Sequence, residues 1–412
     1  MPYRWRIVVL LFFLSVVNYL DRQTLSVIGP TLRTELNFST VEYSYVVTSF
    51  LVAYTIGYFF CGAAIDRLGV RLSVALALAL WSLAGMAHAL ATGWIGLLFA
   101  RFVLGLGESF NVPCGIKALA EWVPQRERGL STAILSNGFI VGAVLAPPLV
   151  SGVTLKAGWQ WAFVVTGAIG FVYLGFWWRF YDSPERQSRL PADERTYILG
   201  ARSTATVAAS ISIWQALRHP IAIGFCLARL LTDSLSYFFS FWLPEYLQSA
   251  RGFTLGMIGL LGWIPFLAAD VGGPGGGALS DWLVRRGWSP RNARVRLMLV
   301  AALLMPLALV AVHVGSAYAA LGCIAVLLAA QSCWNSNLFT LMSELFPREH
   351  VATFVAVSAI GGSLGGILST LLAGRVIHGL GYEPVFTVLG FLHLAAFAII
   401  QFALRRRGAP AV

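Results

Sequence analysis

Long apolar runs constrain this chain more than any other feature of its sequence. Runs of about 20 residues, the length that crosses roughly 30 Å of hydrocarbon as a helix, recur between charged or Pro/Gly-containing breaks from Trp5 to Leu404. With 58% hydrophobic and only 11% charged residues, the chain lacks the polar surface that a soluble domain needs. The sequence therefore predicts an all-α protein that crosses a membrane many times.

Twelve spans are expected from the hydropathy pattern. They cover residues 5–30, 42–65, 71–91, 95–118, 130–154, 160–181, 219–248, 254–279, 296–314, 317–342, 352–377 and 384–404. The longest polar stretch, Asp182 to Arg218, separates the sixth span from the seventh. Within it, residues 190–195 are typical of the start of a short amphipathic helix.

The charges of the predicted loops give the orientation. With both termini inside, 21 of the 29 basic residues fall in cytoplasmic segments, four fall outside, and the other four lie within or at the edge of spans. Lys and Arg in short loops are retained on the cytoplasmic side, so both termini are expected there. The net charge of +11 follows from this topology, and it does not indicate a nucleic-acid partner.

Two loop motifs occur once in each half of the chain. Residues 62–71 return as 277–287 after 215 residues, and residues 121–128 return as 344–350 after 223 residues. The first pair ends two apolar spans, and the second places spans four and ten in equivalent positions. The chain is therefore expected to contain two repeated halves.

We expect an N-terminal six-helix bundle at 1–181, a cytoplasmic connector at 182–218 and a C-terminal six-helix bundle at 219–412. The 62–71 loop reads Gly-x-x-x-Asp-Arg-x-Gly-x-Arg and resembles the signature between spans two and three of the major facilitator superfamily. Parallel repeats, with a substrate site near the midplane between them, are the arrangement of that superfamily. The resemblance implies the major facilitator fold.

The same resemblance implies gating contacts at the cytoplasmic side. In the family the Asp and Arg of this loop form them, which assigns the role to Asp66 and Arg67 and, in the second copy, to Asp281. The alternative is an ordinary positively charged inside loop with a turn glycine.

Further motifs are similar to those of the anion:cation symporter family, in its bacterial hexuronate and sugar-acid (galactonate-type) branch. They lie at 18–22, 105–108, 115–122, 145–149, 158–163, 231–233 and 241–244. The resemblance covers nearly the whole chain. It implies a proton-coupled symporter of the bacterial inner membrane that imports a carboxylated sugar, such as a hexuronate or aldonate, by alternating access. The expected partners are a small organic anion, protons and the lipid bilayer, with the protein acting as a monomer.

Charged residues inside the predicted spans are the strongest functional signal. A charge at the centre of a spanning helix costs about 2.5–3.5 kcal/mol on insertion scales, and it persists mainly where it lines a pathway, binds a ligand or relays protons. The charged residues are Asp21, Arg22, Arg101, Glu108, Arg229, Asp233 and Asp270. Such a set is typical of a transporter.

Arg22 is expected to anchor an anionic substrate. Arginine holds a carboxylate with a planar fork of donors and stays ionised when it is poorly solvated. In the galactonate relatives the arginine and tyrosine of this motif are implicated in binding the substrate carboxylate, a role that the resemblance assigns to Arg22 and Tyr19. The alternative is an ion pair, with Asp21 or across helices, that only locks the bundle.

Asp21 and Glu108 are the expected proton-coupling residues. Such a residue is a carboxyl group whose proton affinity changes with its surroundings, and burial and a nearby arginine act on it in opposite directions. The family's coupling carboxylates occupy these two motif positions. The alternative for Glu108 is a structural ion pair with Arg101, seven residues earlier on the same helix face.

The charged residues of the second half carry a less specific signal. Arg229 and Asp233, spaced i, i+4, either neutralise each other locally or line the second-half wall of the site. For Asp270, gating or helix packing is favoured over substrate contact.

A sugar acid also needs hydrogen-bond partners among apolar walls. Candidates are Tyr54, Asn111, Asn137, Gln331, Asn335 and Asn337, with Tyr237 and Trp334 as stacking surfaces. The alternative is that these side chains only join neighbouring helices. Residues 139–140 and 234–237 depart from the hexuronate pattern, so a different sugar acid, or a less hydroxylated organic anion, is an alternative substrate.

The sequence leaves three rival functions. A proton antiporter that exports drugs or metabolites shares the fold, and Gly142-x-x-x-Ala146-Pro147 resembles an antiporter motif, but paired arginines in the core argue against a cationic drug. A channel or a membrane enzyme would need a filter-like repeat, a metal-ligand cluster or a nucleophile with a placed base. The sequence shows none of these, so no enzymatic activity, metal or cofactor is expected.

Overall fold

The computed structural model describes residues 1–201, 215–216, 218–346 and 350–405, and every regular element in those ranges is a helix. Part of the expected connector lies outside the described residues. So do four arginines that were assigned to the cytoplasmic side: Arg202, Arg348, Arg406 and Arg407.

The helices of the N-terminal half are long and follow one another closely. They are α1 (Tyr3–Glu35), α2 (Thr40–Ala87), α3 (Trp94–Glu108), α4 (Asn111–Trp122), α5 (Arg128–Ala157), α6 (Trp159–Phe180) and the short α7 (Ala192–Gly200) in the connector. A capping box starts α2, because Ser39 and Glu42 each accept a hydrogen bond from the other's backbone amide. Such boxes satisfy amides that a helix start leaves unpaired.

The described residues of the C-terminal half form eight further helices. They are α8 (Pro220–Ser249), α9 (Leu255–Leu261), α10 (Ile264–Arg285), α11 (Pro290–Leu304), α12 (Leu307–His313), α13 (Ala317–Leu345), α14 (Val351–Leu380) and α15 (Glu383–Arg405). The pairs α9/α10 and α11/α12 each form one stretch long enough to span a membrane.

Eleven helical stretches among the described residues are long and apolar enough to cross a membrane. The stretch Thr40–Leu90 has 51 residues, about 76 Å at the α-helical rise and more than twice the hydrocarbon thickness. It is interrupted at Gly69, whose φ of 75° glycine adopts without strain. This stretch therefore supplies two crossings, and the expected twelve-helix fold is confirmed.

The helices run past the ends that hydropathy predicts. The first span was expected to stop at residue 30 and the eighth at 279, but α1 ends at Glu35 and α10 at Arg285. Charged residues mark the edge of the hydrocarbon without ending the helix. At the start of α11 a capping group is present, because the Ser289 side chain accepts a hydrogen bond from the Asn292 amide.

Contacts divide the chain into two compact units. The first unit holds Met1–Ala205 and Phe253–Trp263, and the second holds Thr206–Gly252 and Ile264–Val412. The short helix α9 belongs to the first unit because it packs on α5, where Gly259 faces Ser151.

Glycines allow close helix packing inside each unit. In the first unit, a Cβ at Gly142 of α5 would lie only 2.7 Å from the Val16 carbonyl oxygen and 2.8 Å from Tyr19 Cβ on α1. In the second unit, a Cβ at Gly365 of α14 would overlap the Leu230 carbonyl of α8. Membrane bundles use small residues in this way. The close packing positions the polar stretches of α1 and α8.

Candidate functional site

A buried ion pair joins α1 to α3 in the first unit. Arg22 donates from Nε to Glu108 Oε2 at 2.9 Å, and its Nη2 lies 2.8 Å from the same oxygen. Glu108 is fully buried, whereas 16% of the Arg22 side chain is exposed. Two predicted site residues, 86 positions apart in the chain, thus meet in the structure.

Three aromatic rings surround the Arg22 guanidinium. Its central carbon lies 5.3 Å from the ring centroid of Tyr19 and 4.9 Å from those of Phe50 and Tyr54. Desolvated cation–π contacts stabilise a cation by about 2 kcal/mol. Tyr19 and Tyr54 were predicted, whereas Phe50 was missed; its position one helical turn before Tyr54, on the same face of α2, was the available signal.

Arg101 lies beneath this pair on α3. It is fully buried, and its Nη2 donates to the Arg22 carbonyl oxygen at 2.6 Å. One alternative expected from the sequence was an ion pair between Arg101 and Glu108. In the structure Glu108 forms its ion pair with Arg22. The Nε and Nη1 of Arg101 are buried without a hydrogen-bond partner among the described residues. The first unit therefore holds a second buried cation with donors to spare.

Asp21 faces away from its neighbour Arg22. Its buried carboxylate lies beside Trp81 and Gly85 of α2 and Thr166 of α6. Neither carboxylate oxygen has a well-formed hydrogen bond within the described chain. The Asp21–Arg22 pair considered from the sequence is therefore not formed.

The helix that carries Glu108 is interrupted directly after it. α3 ends at Glu108 and α4 begins at Asn111, and the Phe110 amide bonds to Gly107 O, three residues back. The predicted substrate contact Asn111 follows the break, and both polar atoms of its side chain are buried without a partner among the described residues. Buried polar atoms of this kind call for a bound water, ion or ligand.

A second charged pair lies on α8 in the second unit. Arg229 donates from Nε and Nη2 to Asp233 Oδ2 at 3.0 and 2.6 Å. Its Nη1 reaches Ser358 of α14 at 3.4 Å, and its guanidinium carbon lies 5.1 Å from the Phe339 ring centroid. The pair is locally neutralised, as one sequence alternative expected.

The polar candidates on α13 point into the second unit. Gln331, Trp334 and Asn337 are all buried. Gln331 donates to the Thr232 carbonyl at 3.2 Å and is hydrogen-bonded to His393 of α15, a residue that the sequence analysis missed. Nothing in the local sequence Leu392-His393-Leu394 marks this histidine, because its partner lies 62 positions away.

Four further candidates lie elsewhere in their own units. Tyr237 is half-buried on α8 against Gly366, Asn335 is half-buried on α13, and Asn137 is exposed on α5. Asp270 is half-buried on α10 and makes no ion pair with another described residue. They are not part of the Arg22–Glu108 cluster.

The two signature loops make different contacts inside their units. Asp66 pairs with Lys117 of α4 at 2.6 Å, while Arg67 is exposed. Asp281 pairs with Arg294 of α11 at 2.7 Å, and Arg294 also contacts Glu344 at 3.3 Å. Both aspartates therefore bind a basic residue of a neighbouring helix.

The Arg22 cluster has the chemistry of an anion site. No group of three or more His, Cys, Asp or Glu side chains within the described ranges could hold a metal ion. The guanidinium of the partly exposed Arg22 side chain is instead a fixed fork of donors that suits a carboxylate. The carboxylate that now occupies it, Glu108, changes charge when it takes up a proton.

Comparisons with known proteins show the family of this chain. The model of the Major Facilitator Superfamily matches residues 11–370. The chain is 32% identical over 412 residues to the hexuronate transporter of Escherichia coli (strain K12), covering 98% of this chain and 95% of that protein. It is 36% identical over 272 residues to the galacturonate transporter of Dickeya chrysanthemi, covering 65% of this chain and 79% of that protein.

Solved structures support the same fold. A bacterial homologue of the human lysosomal transporter Spinster, in an inward-facing and occupied conformation, is similar over 100% of both chains with a TM-score of 0.76 and 17% sequence identity. The family match spans most of the chain, and the helices span a membrane by length and composition. The chain therefore belongs to the Major Facilitator Superfamily and is a multi-pass membrane transporter, not an enzyme.

Proposed function

We propose that this protein imports a hexuronate, or a closely related sugar acid, together with protons across the bacterial inner membrane by alternating access. The observation that carries the proposal is the Arg22–Glu108 pair among the rings of Tyr19, Phe50 and Tyr54. Relatives named as hexuronate and galacturonate transporters support the substrate class.

Coupling follows from competition for one guanidinium. The carboxylate of the substrate and that of Glu108 both need the donors of Arg22. A proton on Glu108 removes its charge and releases Arg22 for the substrate. Proton and substrate binding then favour each other, and by linkage the effect is reciprocal.

Asp21 is the second acid in the proposed mechanism. It lies one residue before Arg22 but faces α2 and α6, so it does not compete for the guanidinium. We assign it a proton whose movement accompanies the rearrangement of α1. In this proposal the protonation of Glu108 depends on the substrate, whereas the protonation of Asp21 depends on the packing around α1.

The hydroxyl groups of the sugar acid are assigned to polar side chains that the sequence singles out. Tyr19, Tyr54 and Asn111 are the first-unit candidates, and Tyr237 is the second-unit candidate. An aromatic ring beside a hydroxyl donor suits a sugar, whose faces are apolar and whose edges are polar. The unpaired amide of Asn111 supports a hydrogen bond to the substrate.

The proposal is tested by uptake into proteoliposomes with an acidic exterior. Labelled glucuronate and galacturonate are compared with an aldonate and with simple carboxylates, with and without a protonophore. We expect a hexuronate to accumulate above its external concentration and the protonophore to abolish that accumulation. Accumulation that ignores the protonophore would contradict proton coupling, and uptake of simple carboxylates alone would contradict the substrate class.

A further inference from the structure

A buried chain of hydrogen bonds ties three helices of the second unit together. Gln331 of α13 donates from Nε2 to the backbone carbonyl of Thr232 on α8 at 3.2 Å, and its Oε1 is bonded to Nε2 of His393 on α15. All three residues are at most 3% exposed. The tie belongs neither to the Arg22 cluster nor to the Arg229–Asp233 pair.

The contacts fix the proton on the imidazole. Since the Gln331 amide nitrogen donates to Thr232, the amide oxygen faces His393, and Nε2 of the histidine must be the donor. Nδ1 of His393 is buried and has no hydrogen-bond partner among the described residues. A neutral imidazole with its proton on Nε2 satisfies this arrangement, because a second proton would have no acceptor.

The far end of the tie is the backbone of α8 at a functional position. Thr232 directly precedes Asp233, which holds Arg229, and Tyr237 follows five residues later. The acceptor is a main-chain carbonyl, so the tie holds the helix itself rather than one side chain. Trp334 closes the other side, with its ring edge-on to His393 at 5.3 Å between centroids.

We propose that His393 is a positioning residue that acts through Gln331 to hold α8 where its polar face contributes to substrate binding. This inference rests on the proposed function. Gln331 then contributes to transport by holding α8 in place, because its amide nitrogen is hydrogen-bonded to Thr232 and its amide oxygen to His393. His393 sets which end of the amide is donor and which is acceptor.

Substitutions separate this role from simple packing. His393→Phe keeps a ring of similar shape and removes the donor, whereas His393→Gln returns an amide N–H near the same place. Gln331→Leu removes the tie from its centre. Thr232→Val is the matched control, because it keeps the carbonyl and removes only a buried hydroxyl that has no partner among the described residues.

The transport measurement is the concentration dependence of hexuronate exchange in proteoliposomes. His393→Phe loses one buried hydrogen bond, and Gln331→Leu loses two. We expect both variants to raise the half-saturating concentration at least about 10-fold, at a nearly unchanged maximal rate. His393→Gln should return it to within about 3-fold of the original protein, and Thr232→Val should leave it unchanged. A fall in maximal rate with unchanged half-saturation, or equal damage by Phe and Gln, would overturn the proposal.

A second measurement needs no substrate. The thermal unfolding midpoints of four proteins form a double-mutant cycle. These are the original protein, His393→Phe, Gln331→Leu and the double variant His393→Phe/Gln331→Leu. We expect the double variant to lose no more than the worse single variant, and additive losses would overturn the tie. If the protein transports no hexuronate, only the proposed function is contradicted. The thermal unfolding cycle would then still test whether His393 is coupled to Gln331.

Discussion

Arg22 and Glu108 form an ion pair in which only the arginine reaches the surface. The Arg22 side chain is 16% exposed, and the Glu108 carboxylate, 2.8 Å from Nη2, is fully buried. We therefore expect an approaching anion to meet the Arg22 side chain before the competing carboxylate. Removing either partner leaves the other as a buried, uncompensated charge, which is costly.

Replacing Arg22 should abolish substrate binding. Arg22→Ala removes a fork of charge-assisted hydrogen bonds, each contributing about 1.5–3 kcal/mol, so we expect hexuronate affinity to fall at least about 100-fold. Arg22→Lys keeps the charge but not the fork of donors, so its hexuronate affinity should lie between that of Arg22→Ala and that of the original protein. Ligand-induced quenching of tryptophan fluorescence in detergent measures binding directly. Arg6→Ala, an exposed arginine on the same helix, is the control and should bind normally.

Glu108→Gln should uncouple transport from the proton gradient. The amide cannot take up a proton, yet it leaves Arg22 free for the substrate carboxylate. We expect exchange of labelled for unlabelled hexuronate to persist, while accumulation driven by an imposed pH gradient is lost. If the variant still concentrates substrate, the coupling acid is another residue, and Asp21→Asn becomes the deciding variant.

Gly362→Ala should disturb the Arg229–Asp233 pair. A Cβ at residue 362 would overlap Asp233 Oδ2 and lie 3.1 Å from Arg229 Nη2. Forcing extra volume into a packed interface costs about 1–3 kcal/mol, so the thermal midpoint in detergent should fall. Gly379→Ala on the same helix is the control, because no atom lies within 4 Å of its added Cβ. Equal midpoints for both variants would mean that α14 is not packed against the pair.

A cluster of ion pairs and hydrogen bonds at the start of α1 gives a pH-dependent prediction. Arg4 donates to Glu127 at 2.8 Å and to Glu194 of α7 at 3.0 Å, and Glu194 also accepts from the amides of Tyr3 and Arg4. The hydrogen bond from Arg4 lowers the pKa of Glu127 below its ordinary value of 4.5. Its contribution to stability is therefore present above pH 4.5 and is lost as the pH falls through the lowered value.

The expected loss of stability in Glu127→Gln is small and is confined to the pH range in which Glu127 is ionised. A partly exposed pair contributes at most about 1 kcal/mol, so the variant should unfold slightly earlier at neutral pH and match the original protein in acid. Glu194→Gln should cost more, because Glu194 is less exposed and caps two amides. Thermal scans between pH 3 and pH 8 measure both. A Glu127→Gln deficit that grows in acid would contradict the assignment.

The sequence was sufficient for the fold and for the Arg22 motif because both depend on local patterns. Apolar runs mark spans wherever hydrocarbon is the solvent, and the order of residues 18–22 and 105–108 singled out Arg22 and Glu108. Tyr19 was predicted from the resemblance of its motif, and Tyr54 was predicted as a hydrogen-bond partner for the sugar hydroxyls.

The rest depends on contacts that no local pattern encodes. Glu108 was given Arg101 as its alternative partner because both lie on one helix, yet the nearest guanidinium comes from α1. His393 has an apolar neighbour on each side and gains its meaning only from Gln331. The ends of α1 and α10 were placed too early because hydropathy marks the edge of the hydrocarbon, and these helices continue past it.

The interruption between α3 and α4 has a mechanical consequence. Glu108 is the last residue before the break, and α4, a rigid rod of about 18 Å, carries Lys117, which grips Asp66 in the first signature loop. Glu108 and the Asp66–Lys117 pair are therefore joined by less than three turns of helix. Under the proposed mechanism, we expect a change in the charge of Glu108 to be transmitted along α4 to the first signature loop.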